Sequence, residues 1–68
     1  RGNIMSILNV LAVQYQANIE LHKENIKIFM ANPVGVAEHI NYAESIEKEL
    51  TAIATNMDLL EALDEINK

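Results

Sequence analysis

The chain of 68 residues contains no cysteine and no tryptophan, one proline, two glycines and three aromatic residues. Without cysteine, neither a disulfide framework nor a thiolate metal site can form. Because proline and glycine are so few, there are few points at which a helix would be interrupted. No segment alternates apolar and polar residues with a period of two, so the sequence predicts no β-strand.

Basic residues are also few, with five against ten acidic residues and a net charge of −5. Proteins that bind nucleic acid or an anionic membrane surface normally carry clustered basic residues, so neither partner is expected. The apolar stretch 4–13 is far shorter than the roughly 20 residues of a membrane span. These features, with the lack of cysteine, are compatible with the cytosol, and we predict a cytoplasmic protein.

Half of the residues are apolar, and they recur with the three- and four-residue spacing of amphipathic helices. The pattern breaks once, near the middle, where Asn32, Pro33 and Gly35 combine a helix-ending proline with a flexible glycine. The sequence therefore predicts an all-α fold of one domain, an antiparallel two-helix hairpin. Its expected parts are a helix over 3–31, a turn over 32–40 and a helix over 41–67.

The predicted second helix has its own start signal and its own apolar line. Asn41 followed three residues later by Glu44 matches a capping box, which predicts that the helix begins there. Residues at alternating spacings of three and four predict the line that faces the first helix. They are Ala43, Ile46, Leu50, Ile53, Met57 and Leu60. Most acidic residues of this helix, Glu49 among them, are expected to face outward.

The predicted first helix carries more apolar surface than one neighbouring helix can cover. One stripe comprises Ile4, Leu8, Leu11, Tyr15, Ile19, His22, Ile26 and Phe29. A second set lies beside it and comprises Ile7, Val10, Ala17, Leu21 and Ile28. Such a wide apolar arc is typical of a helix buried on several sides. We therefore predict a homodimer in which two hairpins form a four-helix bundle, with Ile4, Ile7, Leu8, Val10, Leu11, Tyr15, Ile19, His22 and Ile26 in its interface.

A few polar residues interrupt these stripes. His22 lies within the first stripe, where we interpret it as a structural histidine that is hydrogen-bonded to a neighbouring asparagine or to a side chain of the second helix. Asn18, Asn25 and Asn32 recur every seven residues, a spacing at which buried asparagine can fix helix register. The sequence has no Glu-x-x-His pair, no cysteine nucleophile and no glycine-rich phosphate loop. We therefore predict no catalytic, cofactor or metal residues.

Three segments carry a resemblance to a known group of proteins. Residues 24–27 (Glu-Asn-Ile-Lys), 32–39 (Asn-Pro-Val-Gly-Val-Ala-Glu-His) and 59–63 (Leu-Leu-Glu-Ala-Leu) resemble small helical proteins encoded by contractile-tailed phages of marine cyanobacteria. The resemblance covers residues 21–63 and departs from the group at Ile40, where a proline is expected. It implies a phage origin and a bacterial host cytoplasm, and it carries no activity that could be transferred.

The sequence therefore favours a non-enzymatic protein that self-associates and binds another, unidentified protein. A first alternative is that the chain is a subunit or fragment of a larger helical assembly, such as part of a virion. A second alternative is a small metal-binding bundle that uses His22, Glu38 and His39.

Overall fold

The computed structural model describes two helices, α1 (Gly2–Ala31) and α2 (His39–Asn67), and the side chains of residues 6–31 and 41–67. The helices pack against each other along an antiparallel hairpin whose Cα atoms span 55 × 15 × 13 Å. The prediction of an all-helical two-helix hairpin is confirmed for these residues. Neither of the two described helices is sufficiently apolar over sufficient length to cross a membrane. The predicted turn residues Asn32, Pro33 and Gly35 lie outside the described part of the chain.

The start of α2 differs from the sequence prediction. The helix begins at His39 instead of residue 41, because neither His39 nor Ile40 is a residue that breaks helices. Asn41 therefore lies inside the first turn, where its backbone carbonyl accepts a hydrogen bond from Ser45 Oγ at 3.0 Å. Because α2 begins two residues before Asn41, the predicted capping box of Asn41 and Glu44 does not mark the start of the helix. The bounds of α1 agree with the prediction at Ala31 and differ by one residue at the start.

The first stripe of α1 faces α2 as the apolar spacing predicts. Ile19 is the most buried residue among the described side chains, with 3% of its surface exposed. Its neighbours along the stripe are partly buried at every described position. They are Leu8, Leu11, Tyr15, His22, Ile26 and Phe29.

The line of α2 that faces α1 differs from the predicted one. Ala43, Leu50 and Met57 are exposed, whereas the residues immediately before them, Tyr42, Glu49 and Asn56, are buried or partly buried. The face of α2 that meets α1 is therefore rotated by less than one residue step, roughly 50°, from the orientation that apolar residues alone would give. Glu49, expected on the outside, faces α1. Ile46, Ile53 and Leu60 keep their predicted positions.

The hairpin has a thin core. Among the described side chains, three apolar residues are buried: Ile19, Ile53 and Leu63. Ten large apolar residues keep between 38% and 70% of their surface exposed. They are Ile7, Val10, Val13, Leu21, Ile28, Met30, Leu50, Met57, Leu59 and Ile66.

Candidate functional site

A cluster of three polar side chains lies between the helices, and its centre is the carboxylate of Glu49. Asn25 Nδ2 donates a hydrogen bond to Glu49 Oε1 at 2.7 Å, and His22 Nδ1 lies 2.8 Å from the same oxygen. The exposed fractions of the His22 and Glu49 side chains are 26% and 19%. We call His22, Asn25 and Glu49 the polar cluster. It explains the rotation of α2, because a carboxylate is the group that can pair with both donors on α1.

Two asparagines form a second polar contact, farther along the same helix–helix interface. Asn18 Nδ2 donates to Asn56 Oδ1 at 3.1 Å, and Asn56 Nδ2 donates to the backbone carbonyl of Ala52 at 2.7 Å. Asn56 is the one buried polar residue among the described side chains. Because both its amide oxygen and its amide nitrogen have partners, its burial avoids the cost of an unpaired polar group.

The polar cluster and one aromatic contact share a single register. The rings of Phe29 and Tyr42 pack edge to face with centroids 5.6 Å apart. His22 lies seven residues before Phe29 on α1, and Glu49 lies seven residues after Tyr42 on α2. These two side chains also meet. By the same arithmetic, two further steps of seven place residue 15 level with residue 56 and residue 8 level with residue 63. A slip of one heptad would place the Glu49 carboxylate opposite an aromatic ring, so the cluster forms only in the observed register.

The pKa of the Glu49 carboxyl lies below its ordinary value. The hydrogen bond with His22 contributes most, the hydrogen bond from Asn25 adds to it, and the charge of His22 lowers the pKa further. Partial burial acts in the opposite direction. The carboxylate form of Glu49 is therefore favoured in the folded hairpin.

This shift predicts a loss of stability in acid. A carboxyl whose pKa is lower in the folded than in the unfolded state stabilises the fold above its unfolded value of 4.5, and that contribution disappears as the pH falls through the folded pKa. Denaturant unfolding of the wild type should therefore give a falling unfolding free energy below about pH 4.5. Glu49→Gln should flatten this dependence, whereas Glu61→Gln, at an exposed position, should leave it unchanged. Equal slopes for the wild type and Glu49→Gln would contradict the role of the cluster.

The described side chains show no group of three or more histidine, cysteine, aspartate or glutamate residues placed to hold a metal ion. The polar cluster contributes two such residues, His22 and Glu49. Two residues of the metal-binding alternative, Glu38 and His39, have side chains outside the described set. The hydrogen bonds within the polar cluster join α1 to α2, so the cluster can fix the register in which the two helices pair.

The predicted dimer-interface residues divide into two groups. Ile19 is already buried by α2, with 3% of its surface exposed, so in the hairpin it has almost no surface left for a second chain. Ile7 and Val10 are 59% and 63% exposed and remain available to a partner. The side chain of Ile4 is not described. The remaining predicted interface residues pack against α2 and are partly buried: Leu8, Leu11, Tyr15, His22 and Ile26.

Five of the exposed apolar residues of α1 belong to a continuous stripe. Starting from Ile7, steps of three and four residues reach six further exposed positions. The stripe comprises Ile7, Val10, Gln14, Ala17, Leu21, Glu24 and Ile28, and we call it the outer stripe. Leu21 and Ile28 are absent from the predicted interface. The sequence had nevertheless placed both in the second apolar set of the first helix, with Ile7, Val10 and Ala17.

No protein-family model matches the chain, and no curated protein or solved structure matches it. What the protein does is therefore inferred from the geometry of α1 and α2.

Proposed function

We propose that this protein is a non-enzymatic helical hairpin that self-associates as a homodimer of four packed helices and binds another protein in that form. The observation that carries the proposal is the imbalance between buried and exposed apolar side chains. Among the described residues three apolar side chains are buried, while ten large ones are exposed. Scattered exposed apolar residues are common, but a set this large on so small a protein is typical of an interaction surface.

The accessible surface area supports the same proposal. The chain exposes 5341 Å², whereas a compact protein of this mass would expose about 4,300 Å². The excess of about 1,000 Å² is similar to the roughly 800 Å² that each partner buries in a protein interface of standard size. One further copy of the hairpin would therefore bring the exposed area per chain close to the value for a compact protein.

The acidic surface and the phage resemblance complete the proposal. The outward positions of α2 are mostly polar and include Glu44, Glu47, Asp58 and Glu61, all exposed. This side is suited to keeping the dimer soluble or to facing the second protein. The resemblance described above supports an origin in a phage and a role in the cytoplasm of its bacterial host.

Sedimentation equilibrium tests the self-association. The wild type should have the mass of a dimer at micromolar concentration, and its melting temperature should rise with protein concentration because dissociation accompanies unfolding. Ala54→Glu, which adds a charge at an exposed position of α2, should leave the mass unchanged. A compact, stable monomer would contradict the proposal, and larger heterogeneous species would favour the alternative of a subunit in a bigger assembly.

A further inference from the structure

We infer that the outer stripe packs antiparallel against the outer stripe of a second copy, so that the dimer forms through α1 and its centre lies near residue 19. This inference depends on the proposed self-association and specifies its surface and its orientation. Every residue of the stripe is exposed in the hairpin, and their spacing of three and four is that of a helix–helix contact line.

The stripe is self-complementary in one antiparallel register. In this register Val10 faces Ile28 of the second copy, so that two exposed apolar residues cover each other. Ala17 faces Leu21 of the second copy, so that a small residue meets a large one. A twofold axis generates each contact twice. The dimer would therefore contain two Val10–Ile28 pairs and two Ala17–Leu21 pairs. All these contacts lie on the side of α1 that α2 leaves exposed.

The polar residues of the stripe also meet in this register. Gln14 faces Glu24 of the second copy, so an amide donor lies opposite a carboxylate. A shift by one heptad would instead place Glu24 against Ile7, which would take a charge out of water with no polar group of the second copy opposite it. A parallel arrangement would place the two copies of Glu24 side by side, where like charges repel. Glu24 also pairs with Lys27 of its own helix, whose Nζ lies 3.2 Å from Glu24 Oε1, so the charge pattern favours the antiparallel arrangement and its register without being their sole determinant.

The surface next to Val10 has room for a side chain from the second copy. An open cavity of about 190 Å³ is lined by Ser6, Ile7, Val10 and Leu11. In the antiparallel register Ile28 of the second copy lies at this level. Its side chain, 57% exposed in the hairpin, would enter the cavity and become covered. The stretch 2–19 contains no charged residue, so this half of α1 contributes no charge of its own to the contact.

Charge substitutions at Gln14 test both the surface and the orientation. Gln14→Lys would place a lysine opposite Glu24 of the second copy at two symmetric positions and should tighten dimerisation about three- to tenfold. Gln14→Glu should weaken it by a similar factor. Both effects should shrink at high salt, because the pairs lie near the surface. In a parallel dimer each copy of residue 14 would face the other, so both substitutions would weaken association.

Gln16 provides a matched control on another side of the same helix. Its Nε2 donates to Glu20 Oε2 within α1 at 3.2 Å, and it is not part of the outer stripe. Gln16→Lys and Gln16→Glu change the net charge as the Gln14 variants do, and they should leave the dimer dissociation constant nearly unchanged. Dissociation constants from sedimentation equilibrium that show no difference between the two sites would overturn the proposed surface.

Disulfide cross-linking provides a second test, since the chain has no cysteine of its own. In the antiparallel register, residue 10 of one copy lies level with residue 28 of the other. Mixing Val10→Cys with Ile28→Cys should therefore give a mixed disulfide under mild oxidation. Each variant alone should not cross-link, because its two cysteines would be about 27 Å apart along the helix. Ala54→Cys, mixed with either variant, is the control for random collision.

The outcomes separate this inference from the proposed function. A wild type that is dimeric, with Val10→Cys cross-linking to itself, would show a parallel dimer and overturn the inference alone. A dimeric wild type without any cross-link through these positions would also overturn it, since the second copy would then occupy another surface. A monomeric wild type would overturn both proposals and leave the outer stripe to a different protein.

Discussion

Ile19→Ala is expected to lower the unfolding free energy by about 2–5 kcal/mol, the cost of a large-to-small substitution at a buried aliphatic residue. Ile19 is the most buried side chain among the described residues. Few other buried side chains could move to fill the space it leaves, because the core is thin. A loss near the upper value would exceed the stability that a hairpin of this size can have, and the variant would then be unfolded at room temperature.

The matched control for this prediction is Val13→Ala on the same helix. Val13 is 70% exposed and lies outside the outer stripe, so its truncation should change the unfolding free energy by no more than about 0.5 kcal/mol. Chemical denaturation of both variants at the same protein concentration measures the difference, and the fixed concentration removes the effect of self-association. Equal costs at the two positions would show that Ile19 does not belong to the core described above.

The sequence predicted α1 well and α2 less well, for a physical reason. Along α1 the apolar spacing identifies the buried face, since the stripe through Leu8, Tyr15 and Ile19 is apolar apart from His22. Along α2 the apolar residues Leu50 and Met57 favour a face that the structure leaves exposed. Apolar spacing alone cannot predict the observed rotation, because it depends on what the polar residues of α1 meet on α2.

The polar contacts could be predicted only in part. The seven-residue spacing of Asn18 and Asn25 indicates a role in helix register, and His22 within an apolar stripe indicates a histidine with a polar partner. The identity of that partner required the structure, because Glu49 lies in a segment rich in acidic residues. Nothing local distinguishes it from the neighbouring glutamates that face water. Its role arises from a contact between residues 27 positions apart.

The contact between Asn18 and Asn56 allows a test of whether the polar residues stabilise the hairpin or select its register. Asn56→Leu removes the acceptor of Asn18 and leaves a partly buried amide without its partner, which should cost about 1–3 kcal/mol. Asn18→Leu should cost a similar amount, since the Asn56 oxygen loses its donor. Asn9→Leu, at an exposed position of α1, is the control and should change stability by no more than about 0.5 kcal/mol.

The double variant Asn18→Leu/Asn56→Leu is expected to recover most of the lost stability or to exceed the wild type. Replacing both members of a buried polar pair by apolar residues leaves no unpaired group and adds apolar contact between α1 and α2. A double-mutant cycle measured by denaturation should therefore give a large favourable coupling between the two leucines. If the costs of the two single substitutions simply add, the asparagines do not act as a pair. Recovery of stability would mean that the wild-type amides are retained because they fix the register in which Glu49 meets His22 and Asn25.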